Sequence, residues 1–365
     1  MNVFLSWSGS RSEAVARTLR SWLPDVLQAV EPWLSSSDIQ VGARWASELE
    51  LQLQESRVGI ICLTPENLTA PWVLFEAGAL SKSLGSAYVC PYLFGFSPSE
   101  LHGPLVQFQA TRATRDGTRM LLLTLNRALG ENSVQEERLD RIFDRWWPDL
   151  ERAFQAIAAT PAQETKPVES EGEPLQKLLK EIGRIPPDNL VEKLQEVIAA
   201  ISGQPSAKHP STPASRDRVF IIHGHNRGLR ESIARFVERL GPAVIILDEQ
   251  PSSGRTINER IEFYADAHYA VALITADDMG SARAARTAPN LRARQNIIFE
   301  LGFFTAKLGR SRLAVLYEEA AESIEMPSYF SGILYISLDR AGAWKFKLAQ
   351  ELKRAGLQVD LNNAL

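Results

Sequence analysis

The chain has 365 residues, 45% hydrophobic and 23% charged, a mix that fits two ordinary globular domains and excludes a disordered chain. Its net charge of -4 gives no basis for non-specific nucleic-acid binding, and no run reaches the ~18 apolar residues of a membrane span. Met1-Asn2-Val3-Phe4 lacks the charged and apolar regions of a secretory leader, and Cys62 and Cys90 sit in apolar runs, as buried reduced thiols of a cytoplasmic protein do.

In chain order, residues 3–8 read as a buried strand ending in Ser6-Trp7-Ser8. A helix is expected over 10–27, where Ala14, Val15, Leu19, Trp22 and Leu23 recur at helical spacing. Next come a strand over 30–34, a polar loop ending at Gly42 and a helix over 45–55. A third strand over 58–64 turns at Pro65-Glu66-Asn67 into a helix carrying Glu76, and a strand over 88–94 follows. This alternation predicts a parallel sheet with helices on both faces, and ligands of such sheets sit beyond the carboxyl ends of the strands. Ser6, Ser8, Asp38, Asn67 and the start of the Glu76 helix fall on that edge. Residues 101–109 read as a loop packing on the sheet, and 120–129 and 135–154 as helices. The second of these holds Trp146-Trp147, read as packing.

Residues 160–174 and 203–216 have linker composition, and 175–182 and 190–201 are amphipathic at helical spacing. Together they predict a small helical hairpin packing against a domain or a second chain, either as a spacer or as an oligomerisation element. The second half begins with a strand over 219–222 and the turn His223-Gly224-His225-Asn226. A helix (229–240), a strand (243–247), a loop (248–256), a helix (257–265) and a strand (270–275) lead to Asp277-Asp278. A longer loop over 280–295 holds Arg283, Arg286, Arg292 and Arg294 and precedes the helix carrying Glu300; strands over 313–317 and 334–338 and a helix over 344–355 close the chain.

The halves repeat one pattern, Phe75-Glu76-Ala77-Gly78 against Phe299-Glu300-Leu301-Gly302. A lone Glu among apolar neighbours is costly to bury, so each is expected to face water beside a core helix or to line a cleft. Gly78 and Gly302 let something come close to that part of the helix. The His223-x-His225 pair has no Cys or third His near it in sequence and reads as a turn, not a metal site. Asp277-Asp278 reads as cap material for the next helix before it reads as catalytic.

The strand ending in Ser, the loop over 36–44 and the Trp72-x-x-x-Glu76 helix resemble a TIR domain over residues 1–127, with 36–44 matching the family's BB loop. The second half is similar, from residue 216 onward, to the TIR-like nucleotide-binding module of effectors in cyclic-nucleotide antiphage systems. Phe220-Ile221-Ile222-His223-Gly224-His225, Asp248-Glu249-Gln250-Pro251, Gly254-Arg255-Thr256 and residues 293–302 carry that match. The resemblance implies an α/β chain of two flavodoxin-like TIR domains with parallel sheets, residues 1–155 and 217–365, joined by a partly helical linker over 156–216. It implies an NAD glycohydrolase with Glu76 and Glu300 as catalytic carboxylates and NAD as substrate, with no separate cofactor. NAD contacts are expected from Phe4, Ser6, Asp38 and Trp72 in the first half. In the second they are expected from His223, Gly224, Asp248, Arg255, Asp277 and Asn296. Partners implied are further copies through TIR–TIR contacts and a nucleotide messenger or phage-sensing partner.

The chemistry is consistent with one acid per half. Nicotinamide is already a cationic leaving group, so cleavage needs negative charge beside a developing oxocarbenium ion. Backbone amides at strand-to-helix turns can hold the pyrophosphate, with Arg255 or Arg294 adding charge, and a surface or interface salt bridge is the commoner role for either Arg. Two other functions stay open: a scaffold recruiting other TIR proteins, and a division of labour in which one half senses and the other cleaves.

Overall fold

The computed structural model describes residues 1–34, 52–53, 55–82, 88–160, 217–251, 253–275, 278–280, 290–292, 294–318 and 333–364. The expected loop over 36–44 with Asp38, nearly all of the expected helix over 45–55, Asp277, the hairpin over 175–201 and the linkers on either side of it lie outside these residues.

Strands β1 (Asn2–Ser6), β2 (Glu31–Leu34), β3 (Val58–Leu63), β4 (Tyr88–Leu93) and β5 (Thr111–Arg112) form a parallel sheet in the order β2-β1-β3-β4-β5. The second half repeats it. Strands β6 (Arg218–Ile222), β7 (Ala243–Ile246), β8 (Tyr269–Ile274), β11 (Leu313–Glu318) and β12 (Leu334–Leu338) run parallel in the order β7-β6-β8-β11-β12. In both, the first strand lies between the second and third, the flavodoxin-like arrangement. Each central strand, β3 and β8, is buried along all six residues, which explains why both read as unbroken apolar runs and not as alternation.

Helices follow the expected pattern: α1 (Ser10–Val26), α2 (Pro71–Leu80), α3 (Arg115–Ala128) and α4 (Glu136–Ala159), then α5 (Arg227–Leu240), α6 (Ile257–Tyr264), α7 (Gln295–Leu308) and α8 (Ala343–Arg354). Pro71 opens α2, where its missing N–H costs nothing, and Gly309 at φ 78 ends α7. Trp147 packs in the core 5.6 Å from Phe143, and Trp22 Nε1 donates to the Trp146 carbonyl at 2.9 Å, so the Trp pair serves packing. Cys62 and Cys90 are buried free thiols. Two features differ from the sequence reading. The edge strand β5 is only two residues long, too short to leave a pattern. The segment read as a long loop over 280–295 contains β10 (Asn290–Arg292), which pairs antiparallel with β9 (Asp278–Gly280), so Asp278, read as helix-cap material, opens a strand.

Alternate strand residues sort the chain into layers. Val3, Leu5, Val58, Ile60 and Cys62 face an outer core with α1, α3 and α4, and Val219, Ile221, Val271 and Leu273 face another with α5 and α8. Phe4, Ile61, Leu63, Phe220, Ala272 and Ile274 point the other way, into one inner core shared by both halves. Helices α2 and α7 fill that inner core and cross each other. A Cβ on Gly78 would fall 1.9 Å from the Phe299 carbonyl oxygen, and one on Gly302 would fall 2.0 Å from that of Phe75. The glycines that were expected to admit a close neighbour therefore admit each other's helix, and each Phe-Glu-x-Gly motif seats its Gly on the partner motif's Phe. This also explains why α2 is apolar nearly all round: it is buried between a sheet and a second helix.

Candidate functional site

The two glutamates lie in different surroundings. Glu76 is fully buried, neither facing water nor opening on a cleft as the sequence led one to expect. Burial pushes its carboxyl up to about 8, while Ser6 and Trp72 pull it partway back. Neither completes the site: both Glu76 oxygens and the buried Ser6 Oγ lack a partner at hydrogen-bonding geometry. An acid in such a place keeps its proton, because the neutral form is the cheaper one to bury.

The expected companions of Glu76 are placed unevenly. Ser6 ends β1 beside it. Trp72, one turn earlier on α2, stacks on Phe75 with ring centroids 6.0 Å apart. Phe4 is wholly buried in the inner core, its ring 5.2 Å from that of Trp33. Asn67, read as an edge residue, is buried and locks the turn after β3: its Oδ1 accepts from Thr64 N at 2.8 Å and its Nδ2 donates to the Cys62 carbonyl at 3.0 Å.

The raised Glu76 value has a consequence for stability. An exposed Glu in the unfolded chain ionises near its ordinary value, while the folded one holds its proton to about 8. The native state thus binds more protons than the unfolded state between these limits, and stability falls as pH rises through that window. Glu76→Gln removes the titration. Its unfolding free energy is expected to match wild type near pH 4.5 and to exceed it increasingly up to pH 8, by about 3 kcal/mol at pH 7, with the thermal midpoint rising in step. Melting curves from pH 4.5 to 8.5 check this, and parallel pH profiles for the two proteins would contradict it.

Glu300, on α7, is half-buried and opens into a cleft of ≈ 380 Å³. Burial pushes its carboxyl up to about 8, and the negative charge of Asp248 adds to the rise. Water entering the cleft moderates the burial effect without changing its direction. Asn296, one turn before Glu300 on the same helix face, lines the cleft with it, as do Phe299, Thr256 and Ile261. Thr256 is fixed by a capping box at the start of α6: Thr256 N donates to Glu259 Oε2 at 2.7 Å, and Glu259 N donates to Thr256 Oγ1.

The carboxyl ends of β6 and β7 bring further expected residues together. His223 follows β6, and its Nδ1–H donates to the Gly224 carbonyl at 2.8 Å. Its Nε2 lies 3.7 Å from Asp248 Oδ2 in the loop after β7. Arg260 of α6 donates to the Leu247 and Gln250 carbonyls and pins that loop, as does the Tyr264 hydroxyl through Pro251. Arg255 turns elsewhere, and its guanidinium stacks over Phe263 at 3.9 Å. Arg294 stands at the start of α7, outside the residues lining the cleft.

Sequence reasoning missed one wall of the cleft. Gly103, Pro104, Val106 and Gln107, from a short 3-10 turn of the first half, line it opposite the second half's residues. The segment read as a loop on the sheet instead packs between the halves, with Leu105 fully buried in the shared core and Phe108 6.1 Å from Phe299. The one signal was Leu101 and Leu105 at helical spacing around a Gly-Pro pair.

Residues 218–340 match the family described as CAP12/Pycsar effector protein, TIR domain, and residues 3–122 match a TIR domain family. The chain is 46% identical to Uncharacterized protein YuaY of Escherichia coli (strain K12) over 154 residues, 42% of this chain and 50% of that one. It is 41% identical to Pycsar effector protein BcPycTIR of Burkholderia cepacia over 69 residues, 19% of this chain and 21% of that one. It therefore spans half of the first relative and about a fifth of the second. Among solved structures, the TIR domains of the activated Roq1 resistosome recognising the effector XopQ overlap with a TM-score of 0.24 at 15% identity, over 50% of this chain and 98% of that one. No described helix is long and apolar enough to cross a membrane. The protein carries two TIR domains, one in each half, the second of the kind found in CAP12/Pycsar effectors.

Proposed function

We propose that the protein is a bacterial antiphage effector that cleaves NAD to nicotinamide and, with water as acceptor, ADP-ribose, or by internal ring closure a cyclic form of it, in the cytoplasm once copies assemble. The observation that carries this is Glu300: the one acid among the described residues lining a pocket beyond the strand ends, its carboxyl raised by burial and by the charge of Asp248. Binding of a pyridinium ring beside it favours the carboxylate, so the substrate itself ionises the catalytic group. The C–N bond to ribose then breaks with its electron pair leaving on nicotinamide, and the carboxylate stabilises the cationic sugar. Water adds to the anomeric carbon and releases one proton. Asn296, which lines the cleft, offers an amide for ribose hydroxyls, and Asp248 acts on Glu300 through its charge.

The full burial of Glu76 favours a division of labour as the second reading: the first half serves assembly or senses a nucleotide or partner, and the second half cleaves. The likeness of the second half to the TIR domain of CAP12/Pycsar effectors supports an effector role for that half. A protein acting only as scaffold would leave NAD untouched.

Chromatography of NAD incubated with concentrated protein tests the reaction. Release of nicotinamide with an equal amount of ADP-ribose or its cyclic form is expected, and intact NAD would overturn the proposal. Because the reaction needs the carboxylate, kcat/KM is expected to rise with pH through the raised range of the Glu300 carboxyl, above the ordinary carboxylate range. Asp248→Asn removes the neighbouring negative charge and shifts this rise to lower pH. A rise unmoved by Asp248→Asn would remove Asp248 from the site.

A further inference from the structure

We propose that the Glu300 cleft is a composite site in which the first half's turn, Gly103–Gln107, forms the wall that seats the nicotinamide end of the dinucleotide. This rests on the NAD reading and extends it: one chain completes one site with both of its TIR domains.

The turn is fixed to the same helix that carries the acid. Leu105 anchors it in the shared core. Gly103 adopts φ +75, and a Cβ there would fall 2.0 Å from Gln295 Oε1, so α7 lies directly against the turn. With Leu105 turned inward, Val106 is left 58% exposed on the rim, and Pro104 and Gln107 complete the wall. These residues play no part in the first half's own sheet.

The lining chemistry selects one end of the substrate. Val106, Pro104, Ile261 and Phe299 offer apolar surface to a flat ring, with Glu300 as the only charged group among the described lining residues. Gln107 and Asn296 add amides suited to a carboxamide and ribose hydroxyls. Among the described lining residues the charge is a carboxylate, which suits a cationic ring. Its ≈ 380 Å³ lies near the small end of small-molecule pockets and suits a nicotinamide riboside unit better than a whole dinucleotide.

The full chain with Val106→Cys tests this, since the native thiols Cys62 and Cys90 are buried and the new one is exposed. A short pulse of a maleimide is applied alone, then with NAD, with nicotinamide mononucleotide and with ADP-ribose. NAD and nicotinamide mononucleotide at ten times their dissociation constants are expected to slow labelling about tenfold. ADP-ribose is expected to leave it unchanged, as are all three ligands for Met120→Cys, exposed on α3. Equal labelling with and without NAD would overturn the composite wall, and protection by ADP-ribose alone would overturn the assignment of the nicotinamide end. Protection in a protein that cleaves no NAD keeps the composite cleft and removes only the proposed chemistry. Cleavage without protection keeps the chemistry and removes the wall.

Discussion

Gly78→Ala is expected to lower the thermal midpoint by about 10 °C, or to leave the chain unable to fold. The added methyl would lie 1.9 Å from the Phe299 carbonyl oxygen, a backbone atom that cannot swing aside. Inserting one methyl into a packed core costs about 1–3 kcal/mol where side chains can adjust, and here the two helices must move apart instead. Gly302→Ala meets the Phe75 carbonyl at 2.0 Å and is expected to behave the same way. Two other glycines calibrate the effect. At Gly59 the nearest atom is the flexible end of Leu80, so Ala there is milder. Gly228, in the first turn of α5, has only Asn226 Oδ1 at 3.8 Å, and Gly228→Ala is expected to stabilise by about 0.5–1 kcal/mol through helix propensity. Melting curves of the four variants check this. A Gly78→Ala protein melting with wild type would mean that α2 and α7 do not cross at this point.

The second large effect is on chemistry. Glu300→Gln keeps the shape of the side chain and removes the charge that appears when substrate binds. NAD cleavage is expected to fall by about a hundredfold or more, the loss typical of removing one group aimed at developing charge. KM is expected to change less than kcat, because the interaction strengthens as the sugar becomes cationic. Fold stability is not the cause, since Gln removes an ionisation that costs stability as pH rises towards about 8.

Much of the fold was readable because its signals are local. Apolar runs such as Val58–Leu63 mark buried strands, and the repeat of Phe-Glu-x-Gly marks equivalent helices. Even Gly78 and Gly302 announced a close approach. What approaches them was not readable: the crossing joins residues more than two hundred positions apart, and no periodicity encodes such a pairing. The same long-range contact hid the fate of Glu76. Local pattern placed an acid on a helix face, and only the second helix and the sheet together seal it from water. Phe4, expected at the ligand, went to the inner core because alternation along β1 sends it to the face opposite Val3 and Leu5. Asp248 and His223 met beyond adjacent strands, β7 and β6, as the edge rule for parallel sheets predicts. The turn Gly103–Gln107 carried too little pattern to reveal that it walls the other half's cleft.

The most direct measurement is NAD consumption by wild type, Glu76→Gln and Glu300→Gln at equal concentration and confirmed folding. Wild type and Glu76→Gln are expected to consume NAD at similar rates and Glu300→Gln to consume almost none. Undiminished consumption by Glu300→Gln would contradict a reaction centred on the cleft between the two TIR domains.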